Sequence, residues 1–288
     1  MSLHSEQARE ERTRRIHWNE AWCWIARRRA PANADIWHGL FHRQRDDEAL
    51  YQGVTDGHCR LSPMLLCGGK RYQKDAVAMW SAQDALVLRW VSLCVKEILP
   101  VHHHCVHVAG HRGGRDSLCH IAYALRRGAE FVFRTDIRGD YRNINKEQLR
   151  EHVRQHVTEP GLCGLTEQYI DYTVENGGDF HTPLTGICRG ASLSPLPGAS
   201  FLWPVDNYFA ADSQMIYARY MEDFIFLSKT RWFVRRAWSA LWSFFESYGF
   251  ACHPDKTQVG RVSSGFDWLG LWFTGEGATG PAPRALEN

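Results

Sequence analysis

The apolar positions along this chain fall into two periods, and their alternation predicts an α+β protein. Near the N-terminus Trp18, Trp22, Ile25 and Ala26 recur at helical spacing, after a charged stretch over residues 1–15 marked by Arg9, Arg12, Arg14 and Arg15. Arg27-Arg28-Arg29 suits the C-terminal end of that helix's dipole, and Ala30-Pro31 stops it. A second helix is predicted from Ala34 to His42, with Ile36, Trp37, Leu40 and Phe41 on one face. Residues 51–80 read as short strands, with Tyr51 to Leu61 turning at Thr55-Asp56-Gly57 and a further turn at Gly68-Gly69. Ala82 to Leu99 predicts an amphipathic helix with Leu86, Trp90, Leu93, Cys94 and Ile98 inward, ended by Pro100. A basic glycine turn, His111 to Arg115, leads into a helix from Asp116 to Arg127. There the glycine amides either hold a phosphate or form an ordinary loop with Asp116 as N-cap.

The second half repeats the alternation. Phe131 to Ile137 is a strand that carries Asp136 at its end, and Ile144, Leu149, Val153 and Val157 mark the helix after it. Another helix is predicted from Thr166 to about Glu175, broken by Asn176-Gly177-Gly178. A glycine loop over Thr185–Gly190 precedes a helix that begins at Leu193-Ser194-Pro195 and kinks at Pro204. Two β-rich runs, Met215–Tyr217 and Phe224–Leu227, enclose Tyr220-Met221-Glu222-Asp223 as a β-hairpin. Arg231 to Tyr248 is a helix, His253 to Thr257 a turn, and Phe266 to Phe273 one strand with Gly270 at its centre. The last fifteen residues show no element.

Composition narrows the class. At 288 residues, 44% hydrophobic and 23% charged, the chain reads as globular, with one large or two small domains. No apolar run approaches the ~18 residues of a membrane span, and the N-terminus is too polar for a secretory signal. A net charge of +2 means that an anionic partner must be met by local basic patches. The N-terminal basic helices are one such patch, either gripping phosphates or simply solvated. Nine scattered cysteines argue for a reducing compartment rather than a disulfide framework. Twelve tryptophans imply an aromatic core.

Two clusters raise the question of metals. Glu222 and Asp223 repel each other at the hairpin tip, and a cation would relieve that penalty; a solvated acidic tip is the competing reading. His102-His103-His104-Cys105 with His107 is read as not a metal site. In an extended segment neighbouring side chains point to opposite faces, and no second ligand pair stands at zinc-finger spacing.

Taken together, the motifs resemble the fingers and palm of a reverse transcriptase, closest to the bacterial group II intron, retron and diversity-generating types. Asp136-Ile137-Arg138-Gly139-Asp140-Tyr141 is similar to the first palm motif, Arg189-Gly190-Ala191-Ser192-Leu193-Ser194-Pro195 to the second, and Tyr220-Met221-Glu222-Asp223 to the tyrosine-x-aspartate-aspartate box. Lys256 resembles the lysine of the fourth motif and Trp268-Leu269-Gly270 the primer grip, while Asp84 and Gly113-Gly114 resemble finger and upper-palm landmarks. The likeness spans roughly residues 60–275. It implies a right-hand polymerase fold with an antiparallel palm sheet backed by helices. The divisions are a basic helical N-terminal extension (1–50), fingers and upper palm (51–130) and a palm (131–288) with an inserted helical fingers segment at about 145–180.

The resemblance also implies a chemistry. An RNA-directed DNA polymerase would use two Mg²⁺ ions, with Mn²⁺ able to substitute, held by Asp136, Glu222, Asp223 and the backbone carbonyl of Ile137. Tyr141 would sit beneath the incoming sugar and exclude a 2′-hydroxyl, or stand simply as a core residue. Arg189 and Gly190 would touch the nucleotide or template, and Lys256 would protonate the leaving pyrophosphate or stand as a solvated turn lysine. The partners implied are an RNA template, a DNA or RNA primer and deoxynucleoside triphosphates, in bacterial cytoplasm and away from membranes. Three departures accompany the likeness: Glu222 replaces an aspartate, Arg189 and Cys188 replace a glutamine and a proline, and the chain stops at Asn288 with no helical thumb. A thumb-supplying protein or an associated structured RNA is the partner this last departure implies. The competing functions are a non-catalytic, maturase-like nucleic-acid-binding protein and a template-independent nucleotidyltransferase.

Overall fold

The computed structural model describes residues 3–29, 34–67, 77–108, 110–111 and 113–283. The expected stops at Ala30-Pro31 and Gly68-Gly69, and Arg112 of the basic turn, lie outside these. In chain order the first elements are α1 (Leu3–Arg29), α2 (Ala34–Thr55), β1 (Met64–Cys67), β2 (Val77–Met79), α3 (Ala82–Val95), α4 (Gly113–Arg126) and β3 (Phe131–Asp136). Then come α5 (Asp140–Asn143), α6 (Lys146–His156), α7 (Pro160–Ile170), β4 (Val174–Asn176), β5 (Asp179–His181), α8 (Pro195–Phe201) and α9 (Trp203–Ala210). The chain closes with β6 (Ile216–Tyr220), β7 (Asp223–Ser228), α10 (Arg231–Tyr248), β8 (Gln258–Arg261), β9 (Phe266–Trp268), β10 (Leu271–Thr274) and β11 (Gly277–Pro281). Among the described residues no helix is long and apolar enough to cross a membrane. All nine cysteines are free thiols.

The chain divides into two compact units, one of Met1–Leu99 with Lys146–Pro197, the other of Pro100–Asn145 with Gly198–Asn288. In the first, α1, α2 and α3 meet around Trp18, Tyr51 and Trp90, whose rings stand edge to face at 5.5 to 6.3 Å. One carboxylate, Asp47, accepts the indole N–H of both Trp18 and Trp22 at 2.7 Å. That stripe explains why α2 runs on to Thr55, where short strands were expected. Arg43 lies over the Trp22 ring, Asp47 takes the two indoles, and Tyr51 and Val54 are buried one and two turns later. It also corrects the expected face of this helix, since Ile36 is buried while Trp37 and Phe41 are exposed. Helix α3 is capped by Ser81, whose hydroxyl accepts from the Asp84 N–H at 3.0 Å. It stops at Val95, so Ile98 is exposed and Leu99 buried in its place.

Helix α7 starts earlier than its apolar period suggested. Glu159 caps it by accepting from the N–H groups of Gly161 and Leu162, and Pro160 occupies the first turn. It ends at Ile170, so the stretch expected to finish the helix becomes β4 instead. Gly177 and Gly178, both at positive φ, turn β4 back onto β5. These strands extend a four-stranded sheet in the order β2-β1-β4-β5.

The second unit is built on an antiparallel sheet in the order β6-β7-β3-β8. Both faces of its two central strands are covered, which is why the runs Phe131–Phe133 and Phe224–Leu227 are apolar without alternation. Val132, Ala218, Ile225 and Leu227 face Ile121, Ala124 and Leu125 of α4 in one cluster. The alternate residues form an aromatic layer: Phe226 stacks on Phe133 at 5.1 Å, with Tyr217, Phe209 and Trp238 around it. Helix α4 begins at Gly113, which places Asp116 in its first turn rather than at the N-cap.

Three further readings are corrected here. Phe266 to Phe273 is not one strand but a hairpin. Leu269 and Gly270 both have positive φ (47° and 82°), the conformation a tight two-residue hairpin loop needs, and Trp268 pairs with Leu271 across it. The tail also has an element, β11, which pairs with β10. Gly265 is required by space: a Cβ there would lie 2.3 Å from the Trp272 ring. Finally, the histidine run is not extended. The Cys105 N–H donates to the His102 carbonyl at 2.9 Å, closing a turn that gathers the three imidazoles.

Candidate active site

The site residues of the second unit converge through strand register. Asp136, the last residue of β3, stands opposite Asp223, the first residue of β7, and Asp223 pairs in turn with Tyr220 across the Met221-Glu222 loop. Met221 takes φ 52°, which lets two residues close the hairpin. The loop is tied at three points. The Ile137 N–H donates to the Glu222 carbonyl at 3.1 Å, the Met221 N–H to His107 Nδ1 at 3.0 Å, and Arg219 Nη1 to the Met221 carbonyl at 3.0 Å.

Arg219, Asp206 and His107 are supporting residues that sequence reasoning missed. Arg219 and Asp206 are fully buried and form a two-pronged pair, Nε to Oδ1 at 2.8 Å and Nη2 to Oδ2 at 2.6 Å. The Tyr217 hydroxyl donates to the same Asp206 Oδ1 at 2.5 Å, and Arg219 Nη2 also reaches the Ala199 carbonyl at 3.0 Å. A signal was present in the chain, since each charge interrupts an otherwise apolar segment, Asp206 in α9 and Arg219 in β6. Buried charges of opposite sign imply a pair.

Asp136 and Asp223 face each other at the end of β3, and Glu222 in the adjoining loop lies near enough to act on Asp223 by its charge. Asp136 is buried and bonded through Oδ2 to Lys256 Nζ at 2.5 Å. Lys256 sits in a 3-10 turn, Pro254–Lys256, anchored where the His253 N–H donates to the Asp136 carbonyl at 2.8 Å. Glu222 Oε2 is buried with no hydrogen-bond partner. Burial, followed by the charges of Asp136 and Glu222, pushes the Asp223 carboxyl up to about 7, against the opposing pull of Lys256 and Arg134. Burial works against the charge of Lys256. The bond and attraction of Asp136, with Asp223 and Glu222 beyond, outweigh it and raise its pKa. An unsatisfied buried oxygen beside a carboxyl that holds its proton near neutrality is the mark of a place short of positive charge. The donor set is all hard oxygen, so a divalent cation fits it.

The remaining expected residues divide between the units. Tyr141, on α5, is 6% exposed, with its ring beside the bare Cα of Gly198. Trp268 is buried and donates its indole N–H to Ser117 Oγ at 2.9 Å. Leu269 and Gly270 form the hairpin loop, and the Leu269 side chain lies against Gly114, as does the Tyr220 ring. Arg134 holds this hairpin to β3 through an ion pair with Asp267. Arg189 and Gly190 belong to the first unit, exposed on a loop with a fixed base. The Cys188 carbonyl accepts from the Tyr169 hydroxyl and from Ser194 Oγ, both at 2.9 Å, and its thiol takes the Trp80 indole N–H. Cys188 thus anchors this loop through its sulfur and carbonyl.

A palm sheet with acidic residues at the facing ends of two central strands defines a class of nucleotidyltransferase. The family model described as reverse transcriptase (RNA-dependent DNA polymerase) matches residues 91–273, and the chain belongs to that family. No curated protein matches its sequence. Among solved structures, apo telomerase from Candida tropicalis is similar with a TM-score of 0.52 at 13% identity, covering 68% of this chain and 40% of that one. Telomerase from Candida albicans, in complex with the TWJ fragment of telomeric RNA, is similar with a TM-score of 0.50 at 15% identity, covering 67% and 38%. At such identities the likeness is one of fold, and it agrees with the expected α+β fingers and palm. The chain spans about 40% of the length of these structures.

Proposed function

We propose that this chain acts as an RNA-directed DNA polymerase, adding deoxynucleotides to a primer 3′-hydroxyl on an RNA template. The observation that carries the reading is the register that sets Asp136 opposite Asp223 at one end of the palm sheet, with a buried oxygen of the neighbouring Glu222 left unsatisfied. Asp136, Glu222, Asp223 and the Ile137 carbonyl are the groups that would hold the Mg²⁺ or Mn²⁺ ions. Such ions, when bound, activate the attacking hydroxyl and neutralise charge on the phosphates. The protein's own groups do the rest. Lys256, already protonated and directed at the acidic cluster, is suited to deliver a proton to pyrophosphate. The Trp268-Leu269-Gly270 hairpin, fastened to α4 and β3, offers a rigid support for the primer end. Arg189 and Gly190 contribute to nucleotide or template binding, and the affinity to bacterial group II intron or retron enzymes rests on the motif residues alone. The deciding experiment is primer extension on an RNA template with deoxynucleotides and Mg²⁺ or Mn²⁺. Extension above that of Asp136→Ala supports the reading, and extension equal to that variant ends it.

A second reading has its own observation. Lys256 Nζ bonds Asp136 Oδ2 at 2.5 Å, a charge pair of the kind a palm retained as a nucleic-acid-binding scaffold would keep. RNA binding without extension, equal in wild type and Asp136→Ala, is its signature.

Two predictions follow from single side chains. Glu222 carries its carboxylate one methylene further than an aspartate would, and active sites tolerate only ~0.5 Å of misplacement. Glu222→Asp is therefore expected to raise the extension rate about tenfold or more at saturating metal. An unchanged rate would show that the longer arm is not limiting. Tyr141 is buried with its ring fixed against Gly198, a rigid wall suited to excluding a 2′-hydroxyl. Tyr141→Ala is expected to narrow the preference for deoxynucleotides over ribonucleotides by about tenfold to a hundredfold, the scale of a lost steric contact. Identical sugar discrimination in the variant would remove this role.

A further inference from the structure

A cluster outside the acidic site has the chemistry of a metal centre. The ligand nitrogens of His102, His103 and His104 lie within 4.8 Å of one another. The turn closed by Cys105 and His102 brings them together, with ring centroids 4.2 to 5.2 Å apart. A tetrahedral Zn²⁺ with Zn–N bonds of about 2.0–2.1 Å spaces its ligands about 3.4 Å apart, so side-chain rotation closes the gap. Beside the cluster is a cavity of about 670 Å³, lined by His103, His104, His111 and by Asp116, Cys119 and His120 of α4. The His120 ring stands 5.8 Å from that of His104, on the wall where a fourth ligand would be.

We propose that His102, His103 and His104 bind one borderline transition-metal ion of the Zn²⁺ class, with the fourth position facing His120. Imidazole-rich, thiolate-poor donor sets suit Zn²⁺, Ni²⁺, Cu²⁺ and Co²⁺ rather than Mg²⁺ or Ca²⁺. Ligation through His102 Nδ1 exchanges a long 3.2 Å bond from the His104 N–H for a bond to the metal.

The position of the cluster gives the ion a purpose. The His104 carbonyl accepts from the Arg219 N–H and the Val106 N–H donates to the Arg219 carbonyl, both at 2.9 Å, so the histidine turn runs along β6 as an added edge. Three residues on, His107 accepts from the Met221 N–H of the acidic hairpin. An ion at the histidines would therefore brace the loop that supports the hairpin tip, with His120 linking it to α4.

The test uses the full chain carrying Asp136→Asn and Asp223→Asn, which silences the carboxylate site. Titration with Co²⁺ is expected to give one ion per chain with intense low-coordinate visible bands, and Zn²⁺ to displace it. His103 is exposed, so His103→Ala preserves the packing and is expected to weaken Co²⁺ and Zn²⁺ binding at least tenfold. Zn²⁺ is further expected to slow hydrogen exchange at the Arg219 amide at least tenfold, an effect lost in His103→Ala. A weak six-coordinate cobalt spectrum, or undiminished affinity in His103→Ala, would overturn the site. Binding without added protection at Arg219 would overturn its bracing role.

Discussion

Asp223→Asn is expected to unfold at a higher temperature than the wild-type protein when no divalent ion is present, and to lose primer extension down to the level of Asp136→Ala. The sign follows from the proton affinity of the site. Burial beside Asp136 and Glu222 raises the Asp223 carboxyl from the ordinary 3.8 to about 7. The folded chain then binds a proton that the unfolded chain has released, so stability falls as pH rises from about 4 to about 7. At about 1.4 kcal/mol per pH unit the full shift sets a ceiling of roughly 4 kcal/mol. Asp223 is partly exposed, and solvent screening brings the expected gain for the neutral asparagine to about 1–2 kcal/mol at pH 8. Millimolar Mg²⁺ should reverse the order by stabilising wild type alone. Melting curves at pH 5 and pH 8, with and without Mg²⁺, check both halves. A variant less stable than wild type at pH 8 without metal would show that the carboxylates are not in conflict.

The second large effect lies beneath the hairpin. Arg219→Ala or Asp206→Ala leaves a buried charge without its partner and is expected to cost about 3–5 kcal/mol. The double variant Asp206→Leu with Arg219→Met removes both charges and should regain much of that loss. It also leaves the Tyr217 hydroxyl without its acceptor, so adding Tyr217→Phe should regain more. Urea unfolding of the cycle closed by the single variants Asp206→Leu and Arg219→Met measures the coupling. A double-variant loss equal to the sum of the two single losses would mean that the pair contributes as separate packed side chains. Primer extension should stay low even in the stabilised triple variant, because Arg219 Nη1 no longer holds the Met221 carbonyl at the hairpin tip.

Much of this architecture was legible where a single period ran without interruption. Arg231 to Tyr248 forms the predicted helix, closed by Gly249 in the left-handed conformation. The strand at Phe131 and the acidic hairpin appear where β-rich apolar runs and turn chemistry place them. The misreadings have local causes. Leu269 gives no warning of a positive φ, because a residue with a Cβ seldom adopts one, so two strands looked like one. The stripe of α2 is held partly by Arg43 and Asp47, polar residues that an apolar count leaves out. An extended backbone would spread the histidine run over two faces, and one hydrogen bond from Cys105 to His102 removes that premise. The Asp136, Glu222 and Asp223 cluster could be inferred from motif order, whereas the Lys256 contact with Asp136 depends on a 3-10 turn over 100 residues away in the chain.

The carboxylate of Asp47 has a practical consequence for dissecting the molecule. By holding two indoles it joins α1 to α2, and the Trp90 indole reaches back to the Arg14 carbonyl at 3.0 Å. Through these contacts α1 and α2 form part of the packing of their unit rather than a detachable arm. A fragment begun at residue 51 would carry the Tyr51 and Trp90 rings bare on its surface, an apolar patch that favours precipitation over folding. The shortest piece of the first unit that can be made and handled alone has to include α1, whatever role its basic outer face serves.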